Sequence, residues 1–119
     1  MPKGSPELTR ARREEIINAC AKLYETMTFK DVTIKEIANF TSFTRPSIYN
    51  YFRTKEEIFL ALLQREYEGW TTVLYSLCRE HKMMSRDAFA DAFAKSLAER
   101  PRLLKLLSMN HYDICLLYT

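Results

Sequence analysis

The run Thr44-Arg45-Pro46-Ser47-Ile48-Tyr49-Asn50-Tyr51-Phe52 concentrates a guanidinium, a hydroxyl, an amide and two phenols in one short segment. Only Ile48 and Phe52 fall at the i,i+4 spacing that suits a core. Read as a helix, the segment buries those two and turns its polar groups outward. Such groups match the hydrogen-bonding needs of base edges and phosphates. A merely solvated surface accounts for them less well, because two exposed tyrosines beside an arginine gain little there.

A short helix needs neighbours to hold it, and the flanking sequence supplies them. Ser5-Pro6-Glu7 reads as a helix start, and apolar residues then recur at Ile16, Cys20, Leu23 and about Met27, one face of a 3.6-residue period. Thr28 to Val32 is a break. Thr33-Ile-Lys-Glu36 is a capping box that opens a second short helix with Ile34, Ile37 and Ala38 on its buried side. Thr41-Ser42-Phe43 is a polar turn. Thr44 is placed to cap the third segment, about 44–51, where Pro46 costs little because the first turn has no hydrogen bond to lose. Thr54-Lys-Glu-Glu57 is a second capping box. It starts the longest periodic run, through Ile58, Leu62, Trp70, Val73 and Leu77 to about His81, with Gly69 as a weak point. Ser85-Arg-Asp caps a fifth helix bearing Phe89, Ala92, Phe93 and Leu97, and Pro101 begins a sixth. Two short capped helices around a tight turn, braced by longer ones, form a helix-turn-helix arrangement.

With two Gly, four Pro and few hairpin dipeptides in 119 residues, the fold class is all-α. Residues 1–55 hold ten Lys/Arg against six Asp/Glu, while residues 56–119 hold eight against nine. A basic front half suits a polyanion, and a solvated surface is the competing account. Cys20, Cys78 and Cys115 are too far apart for a zinc pair or a disulfide framework and are expected as reduced core thiols. His81 and His111 lack partners at ligand spacing, so neither a metal nor a cofactor is expected. There is no Ser/His/Asp arrangement, phosphate-binding glycine loop or convergent carboxylate pair, so no enzyme is expected either. No apolar run can span a bilayer and no leader pattern opens the chain, which points to a cytoplasmic protein with no membrane association.

Taken in order, Thr33-Ile-Lys-Glu-Ile37-Ala38, Phe43 to Phe52 and Lys55-Glu-Glu-Ile58 resemble the N-terminal signature of the TetR (tetracycline-repressor-like) family over about residues 10–63. That pattern runs Thr-x-x-x-Ile-Ala, a turn, a recognition helix ending Tyr-x-His/Tyr-Phe, and Lys-x-x-Leu/Ile. The resemblance implies a helix-turn-helix three-helix DNA-binding domain over 1–55. It implies the first helices of a truncated effector and dimerisation domain over 56–119. It also implies a ligand-responsive repressor that binds a palindromic operator in double-stranded DNA as a homodimer. Thr33 would meet a phosphate, Arg45 would read a base and Pro46 would touch a thymine methyl. Thr44, Ser47, Tyr49 and Tyr51 would bind phosphate or line the groove, and Lys55 would hold the backbone. Tyr49 as a core brace and Lys55 as a solvated helix-terminal residue remain open. Arg10, Arg12 and Arg13 either reach phosphates or form a solvated basic face. Trp70, Phe89 and Phe93 would border the pocket of an unknown small-molecule effector, or belong to a core. A helical protein-interaction module without DNA binding is the reading from another class.

One departure stands out. The family usually has Ala-Gly in the turn where this chain has Thr41-Ser42. Glycine admits a positive φ that serine adopts only at a cost, so a looser or differently shaped turn is expected. The ending is also unusual: Cys115-Leu-Leu-Tyr-Thr119 can be encoded by TGTCTCTTATACACA, part of a common sequencing-transposon adapter. The expectation is that the natural reading frame continues beyond Asp113.

Overall fold

The computed structural model describes residues 5–80 and 84–107. Six helices follow in order: α1 Pro6–Tyr24, α2 Ile34–Asn39, α3 Arg45–Ile48, α4 Lys55–Glu80, α5 Arg86–Ala98 and α6 Pro101–Lys105. No strand occurs among the described residues, in agreement with the all-α reading. The chain folds as two compact units, Met1–Leu62 and Leu63–Thr119.

In the first unit, the helix starts are set by side chains that satisfy otherwise orphaned amides. The Ser5 hydroxyl accepts from the Leu8 N–H at 3.2 Å and opens α1. Three residues before the expected end at Met27, α1 closes at Tyr24. The Thr26 and Met27 amides both fold back onto the Leu23 carbonyl, so Met27 sits in the closing turn. At α2 the Thr33 hydroxyl accepts from the Glu36 N–H and donates to the Glu36 carboxylate, both at 3.2 Å, so the cap is made through the Thr33 side chain. At α4 the Thr54 hydroxyl accepts from the Glu57 N–H at 3.2 Å, and the Glu57 carboxylate reaches back to the Arg53 N–H at 2.9 Å.

The third helix is shorter than the expected 44–51. After Ile48 the chain continues in a tighter winding, with Tyr49, Asn50 and Tyr51 amides bonded three residues back. Thr44 occupies the cap position with extended backbone, yet its side chain makes no capping bond. Its hydroxyl instead shares a hydrogen bond with the Ser47 hydroxyl at 3.0 Å.

These helices close over Ile16, Cys20 and Tyr24 of α1, Ile37 of α2, Ile48, Phe52, and Ile58, Phe59 and Leu62 of α4, all buried. Phe59 is the hub. Tyr24 and Phe29 both meet it edge-on, at ring separations of 5.2 and 4.9 Å. Full burial of a side chain of this size stabilises a fold by about 1.5–3 kcal/mol. Ile48 and Phe52 therefore anchor the third helix from beneath.

In the second unit, Ser85 caps α5 by accepting from the Ala88 N–H at 3.1 Å. The Trp70 indole N–H donates to the Ser96 hydroxyl at 2.9 Å, and that hydroxyl donates to the Phe93 carbonyl at 2.6 Å. Glu66 is buried and faces two guanidinium groups, Arg102 at 3.2 Å and Arg100 at 3.8 Å. Gly69 explains how Arg100 comes so close, because a Cβ there would lie 2.6 Å from its Nη1. The glycine that weakens the helix thus makes room for an ion pair. Cys20 is buried as expected, whereas Cys78 is exposed and belongs to no core. His81, His111, Cys115 and the Ile114–Thr119 ending lie outside the described residues.

Gly69 separates two small effects. Alanine adds about 0.5–1 kcal/mol of helix preference. A partly exposed ion pair contributes about 0–1 kcal/mol, and the Arg100 head is free to swing toward water. Gly69→Ala is expected to leave stability unchanged or raise it by about 0.5 kcal/mol. Thermal unfolding measures this, and a clear loss of stability would show that the Arg100 contact outweighs helix preference.

Candidate nucleic-acid interface

The third helix presents what its sequence promised. Ile48 is fully buried while Arg45, Pro46, Tyr49 and Asn50 are exposed, and Ser47 is half-buried. With Tyr49 at 45% exposure, the alternative of a core brace falls away. Tyr51 is half-buried and stacks on Phe43, ring centres 6.0 Å apart and 25° between planes. Thr33 and Thr44 are exposed at the starts of α2 and α3. Thr33, Thr44, Arg45, Pro46 and Tyr49 are therefore open to solvent in the first unit.

Lys55 is arranged differently. Its ammonium donates to the carbonyls of Phe29 at 2.6 Å, Val32 at 2.9 Å and Lys30 at 3.3 Å. It also lies 4.4 Å from the centre of the Phe29 ring. An ammonium has three donors, and all three are engaged here. Burial pushes the Lys55 amine below the ordinary lysine value. The nearby Glu56 and Asp31 carboxylates oppose that effect by favouring the charged form. In this geometry Lys55 fastens the start of α4 to the α1–α2 connection, where its amine is bound by the fold and not by solvent alone.

Residues from α1 surround the helix-turn-helix. The Ser42 N–H donates to Glu15 Oε2 at 2.7 Å, and the Ser42 hydroxyl lies 3.0 Å from the same oxygen. The Arg13 guanidinium donates to the Tyr51 carbonyl at 3.1 Å and lies 4.3 Å from the centre of the Phe52 ring. Arg12 sits 5.6 Å from the centre of the Phe43 ring, on which Tyr51 stacks. Arg12 and Arg13 thus have protein partners, which the spacing of the sequence does not foretell. The turn itself is not strained: no non-glycine residue among those described has a positive φ. Thr41 shapes it instead, donating its hydroxyl to the Ala38 carbonyl at 2.9 Å and accepting from the Phe43 N–H at 3.1 Å. The expected cost of serine at position 42 does not arise.

Residues 16–62 match the family of bacterial regulatory proteins, tetR family. By this segment the chain belongs to the tetR family. The match covers α2, α3 and the core residues beneath them. The HTH-type transcriptional regulator HbdR of Aromatoleum is 33% identical over 98 residues, covering 73% of this chain and 42% of the relative. The HTH-type transcriptional regulator YdgC of Bacillus subtilis is 31% identical over 75 residues, covering 63% and 38%. An HTH-type transcriptional repressor of Mycobacterium tuberculosis is 26% identical over 73 residues, covering 61% and 39%. This tetR-family chain spans about two fifths of the length of these curated relatives. No solved structure matches it.

In the second unit the three expected pocket residues meet. Trp70 and Phe93 are edge to face at 5.5 Å, and Phe89 and Phe93 lie 6.0 Å apart with Phe89 exposed. Among the described residues no group of three His, Cys, Asp or Glu converges as a metal site. Nor is any described helix long and apolar enough to cross a membrane.

Replacing the Lys55 amine leaves the carbonyls of Phe29 and Val32 without their donor. Each unsatisfied, part-buried polar group costs about 1–3 kcal/mol. Lys55→Met, which keeps the apolar stem, is expected to lower stability by about that amount in urea denaturation. An unchanged unfolding midpoint would show that water replaces the amine at no cost.

Proposed function

We propose that this chain is the DNA-reading part of a transcription regulator, with α3 and the turn after it inserted in the major groove. The observation that carries the reading is the division within one short segment: Ile48 and Phe52 buried, Arg45, Pro46, Tyr49 and Asn50 exposed, inside the tetR-family match. A helix anchored by its underside and polar on its outer side can meet base edges without losing its pose. Arg45 is the base reader, most simply bidentate to guanine, and Pro46 offers a methyl contact. Thr44, Ser47, Tyr49 and Tyr51 serve phosphates or the groove wall. Thr33 serves a phosphate once its hydroxyl turns from Glu36. Lys55 supports the interface from within.

The finer reading is a ligand-responsive repressor that acts as a homodimer on a palindromic operator. Its reading head lies at 1–55 and its effector and dimerisation region begins at 56–119. The names of the relatives favour it, since they describe HTH-type regulators and, in Mycobacterium tuberculosis, a repressor. Two recognition helices must stand about 34–36 Å apart to meet successive half-sites. An effector held beside Trp70, Phe89 and Phe93 would act by changing that spacing.

Fluorescence anisotropy with duplexes selected from a randomised pool tests the reading. Arg45→Ala is expected to cost about 1–3 kcal/mol of specific binding and to relax the preference at one base pair. Failure of the wild-type chain to prefer any selected duplex over a scrambled one would favour a helical protein-interaction module instead.

A further inference from the structure

The recognition segment is held at both ends by one stretch of α1. At its entry, immediately before Phe43 and Thr44, the Ser42 N–H and hydroxyl both reach the Glu15 carboxylate, at 2.7 and 3.0 Å. At its exit, the Tyr51 carbonyl accepts from Arg13, whose guanidinium also packs against the Phe52 ring at 4.3 Å. Between them, Arg12 covers Phe43, and Phe43 stacks on Tyr51.

We propose that Glu15 and Arg13 are positioning residues for DNA reading, a two-ended clamp that fixes the pose of the recognition segment. The proposal rests on the DNA-binding reading above.

The physical case begins with how little else holds this segment. The helix proper is four residues long, and its cap side chain makes no capping bond. An isolated helix of that length has no stability of its own. Ile48 and Phe52 fix its depth in the core, but two apolar anchors leave rotation about the line joining them weakly opposed. Hydrogen bonds at residues 42 and 51 oppose that rotation, because each is directional, the first acting before Ile48 and the second between Ile48 and Phe52. Both involve a charged partner, which strengthens a hydrogen bond relative to a neutral one, and the Ser42–Glu15 bond at 2.7 Å is the shorter of the two. Base readout needs the reading side chains held within fractions of an ångström, whereas phosphate attraction tolerates a loose pose. The clamp therefore acts on specificity more than on gross affinity.

The electrostatics sharpen this. Glu15 carries the wrong sign for a DNA contact, so removing its charge on electrostatic grounds alone raises affinity for any duplex. Arg13 carries the right sign, but its donor and ring contacts are made to its own fold. A phosphate ligand and a positioning residue at position 13 differ in their salt dependence, since each lost phosphate contact lowers the slope of log K against log salt by about 0.9.

The experiment compares the full chain with Glu15→Gln, Arg13→Lys and Arg13→Gln, using a duplex selected by the wild type and a scrambled one. The clamp predicts that Glu15→Gln weakens the selected duplex by about tenfold while the scrambled duplex binds equally or better. It predicts the same loss of discrimination for Arg13→Lys and Arg13→Gln, with the salt slope unchanged. Equal losses on both duplexes, full retention by Arg13→Lys, or a slope lowered by about one in Arg13→Gln would overturn it.

Amide hydrogen exchange on the free chain provides a readout that needs no DNA. Glu15→Gln is expected to speed exchange at Tyr49 to Phe52 several-fold and to leave α5 unchanged. Unaltered exchange in that segment refutes the clamp. Should the wild type fail to discriminate between duplexes, the DNA-binding reading falls and exchange alone decides whether the segment is clamped.

Discussion

The connection between α1 and α2 turns the carbonyls of Phe29, Lys30 and Val32 toward one point, and a single amine from the start of α4 satisfies them. Much of the first unit depends on that arrangement. Val32 immediately precedes the Thr33 cap, so fixing its carbonyl fixes where α2 can begin. Lys55 is the first residue of α4, so the same bonds fix where the long helix departs. Phe29, whose ring also faces the ammonium, delivers its edge to Phe59 at the hub of the core. An amine half-removed from water is costly unless its donors are used, and here the cost is offset by three carbonyls, those of Phe29 and Val32 part-buried themselves.

Around this point the helix-turn-helix divides its labour by depth. Ile37, Ile48 and Phe52 hold the two short helices to the core, and the polar residues of α3 stay outside it. Caps at Thr33 and Thr54 start α2 and α4 without tertiary help. The third helix lacks such a cap and leans on long-range partners. Its local sequence is adapted to what it meets rather than to helix stability, an expected concession at a functional surface.

Local chemistry was the legible part of the sequence. Ser5, Thr33, Thr54 and Ser85 each cap the helix they were expected to cap, because capping is decided within three or four residues. The burial of Ile48 and Phe52 followed from their spacing. The partners of Lys55, Arg13 and Glu15 were not legible, since they lie 23 to 38 residues away along the chain. No spacing rule reaches that far. The helical period marked Met27 as part of α1 without showing that the backbone would close early. Nor could it separate Cys78 from a core thiol, since cysteine is as often buried as valine. One clue to the long-range pairing is local all the same: Ser42 in place of glycine brings a hydroxyl to the turn, and Glu15 accepts from it.

Serine at this position also changes what holds the turn in place. A turn built on glycine depends on backbone freedom alone, and the residue facing it from α1 can drift. A turn built on Ser42 and Glu15 ties two distant positions of the chain together through hydrogen bonds at the surface of the fold. Ser42 and Glu15 thus make one structural unit of two segments that stand 27 residues apart along the chain.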